Sequence, residues 1–139
     1  MLTAPDFDHF ASAQDAVWPV VVAELRAGKK AAHWIWYVFP QIEGLGQSAM
    51  SHRFAIASLD EARAYFDEPL LKSRLLEATG LMLEHRGTDV EDMLGWLDAK
   101  KFHASMTLFS RATGEDCFKA ALDGFFAGKE HVETVQLLA

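Results

Sequence analysis

KKAAHWIWYVFPQIEGLGQSAMSHRFAI, residues 29–56, decides how this chain is read. By propensity alone its WIWYVF run passes for a β-strand, and a strand there would turn the following GLG into a candidate dinucleotide loop. The spacing points the other way. In a helical turn His33 and Trp36 share one face, Trp34 and Tyr37 a neighbouring one, and Ile35 and Phe39 a third, until Pro40 stops the turn. Ile35 and Phe39 are expected in the core, with His33 and Trp36 edging a cleft and Gln41 beside them. Between Ala31 and Ser51 only Glu43 carries a formal charge. Rigid aromatics interleaved with His, Pro, Gln, Gly and Ser suit a shaped surface under a loop better than an anonymous core helix.

Outward from this block the signals are helical. Trp18, Val21, Val22 and Leu25 repeat at helical spacing with Gly28 as the stop, and Pro19 suggests a start near Asp15 or Ala16. Phe7 and Phe10 read as a separate amphipathic turn. Ser58 to Glu61 has capping-box spacing and opens a helix that Pro69 must end. Leu71, Leu75, Ala78 and Met82 line one face of the next, between Leu70 and His85. Thr88 to Glu91 repeats the capping box ahead of a short helix ending at Gly95. Phe102, Met106 and Phe109 form another stripe, stopped at Gly114, and Phe118, Ala121, Leu122 and Phe125 a further one, closed by Gly128. Val132, Val135 and Leu138 mark the tail. No alternating run long enough for a strand, no repeat and no linker appears. The expectation is one all-α domain over residues 1–139, of about six to eight helices packed as orthogonal or superhelical pairs.

Composition narrows function by exclusion. The net charge is −7, with no basic cluster beyond Lys29–Lys30 and Lys100–Lys101, which disfavours nucleic acid. Cys117 is the only cysteine, so neither an internal disulfide nor a thiolate metal cluster can form. The six histidines show no HExxH and no i, i+4 pair, so no metal is expected. MLTAPDFDHF lacks the regions of a signal peptide, and the uncharged stretch 31–51 is too interrupted to span a membrane. The chain reads as cytoplasmic, and no cofactor fingerprint is present.

The candidate ligand-binding residues are His33, Trp36 and Gln41, then Gly44, Gly46, Ser48 and Ser51, then Lys100, Ser105 and Thr107. Aromatic faces beside Trp N–H, His and Gln suit a planar ligand. Gly44 and Gly46 with two serines could wrap an anion, although a tight turn with a Ser cap explains them equally well. On a helix Lys101 and Ser105 are i, i+4 neighbours, a pairing that can activate a nucleophile but is also common on solvated faces. Whether the protein is an enzyme stays open; His33 is the acid/base candidate by residue type.

HWIWYVFPQI, the GLGQS turn, SHRFAI and KKFHASMTLF together resemble the family known as domain of unknown function 1810, over almost the whole chain. Ala104 and Phe54 depart from that pattern, each lacking a hydroxyl that relatives often carry. The resemblance implies a mostly α-helical fold in a bacterial cytosolic protein and no established activity. Two functional expectations remain. One is a polar, aromatic cleft for a small ring-bearing or anionic, nucleotide-like metabolite; the other is a non-enzymatic protein-interaction module or homodimeric scaffold.

Overall fold

A computed structural model describes residues 6–139. The N-terminal residues 1–5, which belong to the stretch tested above for a signal peptide, lie outside the described residues. The described chain is all-α, with nine helices and no named strand. They are α1 (Asp8–Ala27), α2 (Ile35–Val38), α3 (Ala49–Arg53), α4 (Leu59–Asp67), α5 (Pro69–Leu83), α6 (Val90–Leu94), α7 (Trp96–Thr113), α8 (Asp116–Phe126) and α9 (Val132–Leu138). The count passes the expected six to eight because α2, α3 and α6 are single turns. No helix is long and apolar enough to cross a membrane.

The 18-residue α7 is the axis of the fold, with α2, α4, α6, α8 and α9 packed around it. Helix α5 backs the core, touching α1, α2, α4 and α8. Its predicted stripe Leu71, Leu75, Ala78 and Met82 is buried, and so are Phe102, Met106 and Phe109 on α7. Within the deciding block Ile35 and Phe39 are both 0% exposed, and the Phe39 ring meets Phe102 edge-on at 4.8 Å. WIWYVF is therefore a helical turn, held by the core rather than by propensity.

Several boundaries follow the expected chemistry. Ser58 caps α4 by accepting from the Glu61 N–H at 3.1 Å, and Pro69 opens α5 directly after α4 ends. Gly28 and Gly114 take left-handed conformations as helix stops. Others differ. Helix α1 starts at Asp8, absorbing Phe10 and carrying Pro19 in its interior. Both Pro19 and Asp15, whose carbonyl loses its helical partner, lie on the exposed face, where water replaces the lost bond at little cost. The cap of α6 is Asp89 rather than Thr88; its carboxylate accepts from the Glu91 N–H at 2.8 Å. Helix α8 ends through Ala127 at φ +54°, one residue before Gly128. In α9 the buried residue is Thr134, while Val132 is 62% exposed.

Candidate functional site

Glu24 of α1 builds the approach to α2. Its carboxylate accepts from the Ala31 N–H at 2.8 Å, the Ala32 N–H at 3.1 Å and the Trp34 indole N–H at 2.9 Å. Burial pushes the Glu24 carboxyl pKa up, but these three donors and nearby Lys30 outweigh it and leave the pKa below the usual value. Lys30 ties the same loop to the far side of the core. It donates to the Ala32 carbonyl and pairs with Asp98 of α7 at 2.7 Å, almost fully buried. A chain clamped at residues 30–34 delivers α2 onto α7 in one orientation.

After α2, Pro40 forces extended backbone, and residues 41–43 pair with Ile56. Ile56 N–H donates to the Gln41 carbonyl at 3.0 Å, and Glu43 N–H donates to the Ile56 carbonyl at 2.8 Å. The chain then turns back through Gly44, at φ +103°, where only glycine is unstrained. Gly46 has a different reason. A Cβ there would collide with Ser51 Oγ and sit 3.8 Å from Gln41 Nε2, so its missing side chain leaves the room that the Ser51 hydroxyl occupies beside Gln41. Ser48 caps α3 by accepting from the Ser51 N–H at 3.1 Å, and the two serine hydroxyls are 3.0 Å apart.

Gln41 completes this corner. It is 7% exposed, yet its side-chain amide makes no hydrogen bond to any described residue. Gln14 is the contrast within the same molecule. It is 1% exposed, and its amide donates to the Tyr37 carbonyl at 2.7 Å and the Tyr65 hydroxyl at 3.1 Å while accepting from Arg74 at 3.3 Å. Buried amides are ordinarily satisfied as Gln14 is. Gln41 keeps two donors and an acceptor facing the surface.

The structure thus gathers Gln41, Gly44, Gly46, Ser48 and Ser51 at one loop, and distributes the other candidates elsewhere. His33 is exposed, and its carbonyl accepts a long 3.4 Å bond from the Tyr37 hydroxyl. Trp36 is half-buried beneath Lys101, whose Nζ is 6.0 Å from the ring, and its indole N–H is buried without a partner. Ser105, one turn from Lys101, is fully buried with its hydroxyl also unpartnered. Lys100 and Thr107 occupy a different side of α7, as helical spacing requires. Thr107 donates to the His103 carbonyl and accepts from the His131 N–H, both at 2.9 Å, so its hydroxyl is fully engaged in holding the chain.

Residues 4–138 match a family described as "Protein of unknown function (DUF1810)". The chain belongs to the DUF1810 family. Among solved structures it is similar to the crystal structure of the conserved hypothetical protein Rv1873 from Mycobacterium tuberculosis at 1.38 Å. The two share 46% sequence identity over 94% of each chain, with a TM-score of 0.92. No curated protein matches the chain.

Away from the Gln41 corner, this DUF1810 chain has a concave surface that sequence reasoning missed. A groove of about 430 Å³ between α6, α7 and α8 is lined by Asp89, Glu91, Lys100, His103, Phe125 and Phe126, among others. The His103 ring lies flat on Phe126 at 3.8 Å and its Nε2 is 2.7 Å from the Lys129 carbonyl. Burial holds the His103 pKa below its ordinary value, although the bond to Lys129 and the charge of Glu133 oppose it. The signal for His103 was its position three residues after Lys100, on one helical face. Cys117 is half-buried, and burial with the charges of Glu115 and Asp116 pushes its thiol pKa up.

Proposed function

We propose that the protein binds a small ring-bearing metabolite of nucleotide-like type, reading an amide-bearing edge of the ring with Gln41. The observation that carries this reading is Gln41, a residue 7% exposed whose amide faces the surface without a protein partner, while the amide of Gln14, 1% exposed, is fully bonded. An amide offers a donor and an acceptor side by side, the complement of a lactam or carboxamide edge. If the Ser51 hydroxyl donates to Ser48, the Ser48 hydroxyl is free to donate outward. Arg53, exposed at the end of α3, would meet a negatively charged substituent. Ser51 is hydrogen-bonded to Ser48 rather than to a base, so recognition suits this corner better than nucleophilic catalysis. The reading places the protein in the cytoplasm, where such metabolites are met.

A thermal-shift screen tests it, with uracil, hypoxanthine and nicotinamide set against pyridine as a ring without the amide edge. The amide-bearing rings should raise the melting temperature of the wild type and leave Gln41→Met unmoved. Equal stabilisation of both proteins, or none by any compound, would overturn the assignment.

A second reading, a protein-interaction module, rests on Trp96 and Leu97, adjacent at the start of α7 and 59% and 53% exposed. Exposed aromatic anchors of this kind suit a partner surface, whereas Trp34 is 0% exposed and cannot serve. Light scattering after size-exclusion chromatography decides it: a concentration-dependent dimer lost in Trp96→Ala supports it, and a monomer at all concentrations removes the homodimer.

A further inference from the structure

Helix α9 is seven residues long, too short to persist without docking. Its apolar docking is thin: Val132 and Leu137 are 62% and 47% exposed, and Thr134 is its only buried residue. What fixes its start is polar. The His131 N–H donates to Thr107 Oγ1 at 2.9 Å, while His131 Nδ1 caps the helix, 2.9 Å from Thr134 Oγ1 and 3.4 Å from the Thr134 N–H. At its other end Leu137 packs on Gly44, its methyl carbons 3.4 and 3.5 Å from where a Cβ would stand. Leu137 and Leu138 also line a groove of about 330 Å³ with Ile42, Leu59 and Arg63. The last helix therefore leans on the loop that forms the Gln41 corner.

We propose that α9 is a proton-sensitive clasp on that loop, closed while His131 Nδ1 is an acceptor and released when the imidazole is protonated. The consequence for ligand binding rests on the function proposed above. Capping by Nδ1 requires its lone pair to face the Thr134 N–H. A proton on Nδ1 makes it a donor, which the Thr134 hydroxyl can accept, but the Thr134 N–H then faces an N–H and loses its acceptor. The charges facing the ring divide. Glu133 on α9, 3.1 Å from Nε2, favours the protonated form, while Lys100 and His103 of α7, the latter ring 5.4 Å away, oppose it. The neighbouring Arg111–Glu130 pair, at 2.6 Å, is self-neutralising. Burial is the largest influence and holds the His131 pKa below its ordinary value, so the clasp is closed at neutral pH and opens on acidification. Release frees Leu137 from Gly44 and loosens residues 43–46, so the Gln41 corner loses definition in acid.

Amide hydrogen exchange, normalised for the intrinsic pH dependence, reads this directly in the full chain without ligand. Between about pH 7.5 and about pH 5.5 the wild type should lose roughly fivefold or more of its protection in α9 and at residues 43–46, the factor a lost N-cap is worth. His131→Asn keeps a capping oxygen that does not titrate, and its α9 protection should be flat over the same range. The wild-type midpoint should coincide with titration of the His131 ring followed by proton NMR. Protection that does not change with pH, an equal fall in His131→Asn, or a midpoint tracking His103 instead would overturn the clasp. Because no ligand enters the measurement, its failure is distinct from a failure of the Gln41 corner to bind.

Discussion

Glu24→Ala removes the clip on which the geometry of the aromatic block depends, and its cost can be worked from the contacts. Three donors converge on the carboxylate: the Ala31 N–H, the Ala32 N–H and the Trp34 indole N–H, at 2.8, 3.1 and 2.9 Å. Ala31 is exposed, so water takes over that bond and its loss costs about 0.5 kcal/mol. The Ala32 N–H is half-buried and loses a charged acceptor, about 1 kcal/mol. Trp34 is 0% exposed, and its indole N–H is left without its acceptor, about 1.5–3 kcal/mol. Together the expected loss is about 3–4.5 kcal/mol, a large part of the roughly 5–15 kcal/mol that a domain of this size holds. Glu24→Gln keeps an oxygen for the indole and should cost about 1–2 kcal/mol. Urea unfolding followed by circular dichroism measures both. The pH profile adds a check on sign. Because the folded Glu24 pKa lies below its value of 4.5 in the unfolded chain, its contribution is present above that pH and is lost as pH falls below it. Glu24→Ala should therefore unfold with a shallower acid limb than the wild type. A loss below about 1 kcal/mol for Glu24→Ala, or an unchanged acid limb, would refute the clip.

Four further substitutions separate scaffold from site. Phe39→Ala empties a position packed edge-on against Phe102 and should cost about 3–5 kcal/mol in the same urea assay, whereas His33→Ala, on an exposed residue, should stay within about 0.5 kcal/mol. Gln41→Met replaces an unpartnered amide with an apolar group of similar shape and should be neutral or stabilising by up to about 1 kcal/mol; a loss of about 2 kcal/mol would show that the amide is bonded after all. Gly46→Ala drives a methyl into Ser51 Oγ and should destabilise by about 1–3 kcal/mol, most of it recovered in Gly46→Ala/Ser51→Gly, as a double-mutant cycle would register.

Local chemistry was legible in the sequence, and distant partnership was not. The i, i+4 spacing of Ile35 and Phe39 and the stop at Pro40 placed both side chains in the core, and Ser58, Gly28 and Gly114 acted at the helix ends their types favour. Four of the corner residues lie within a dozen positions of Gln41, so a short loop sufficed to bring them together. Glu24 could not be found this way. Its donors lie seven to ten residues ahead, across a turn whose path only the packed core sets. Lys30 read only as half of the basic pair Lys29–Lys30, while its partner Asp98 sits on a helix much further along. Thr107 read as a candidate ligand group because nothing local shows that His131 claims its oxygen. The start of α1 was misjudged because Pro19 carries a strong rule, and only the exposure of its face shows why the rule yields.

The Gln41 side-chain amide gives the most direct test of the central claim. In nitrogen–proton correlation spectra of the wild type, with Gln41→Met assigning the signal by its absence, uracil, hypoxanthine and nicotinamide would be titrated in turn. The account predicts that at least one of them shifts the Gln41 amide protons in a saturable way, together with the backbone signals of Gly46 and Ser51. Saturable shifts confined to Lys100, His103 and Phe126 would put the ligand in the other groove, and a Gln41 signal unmoved by all three would contradict the account.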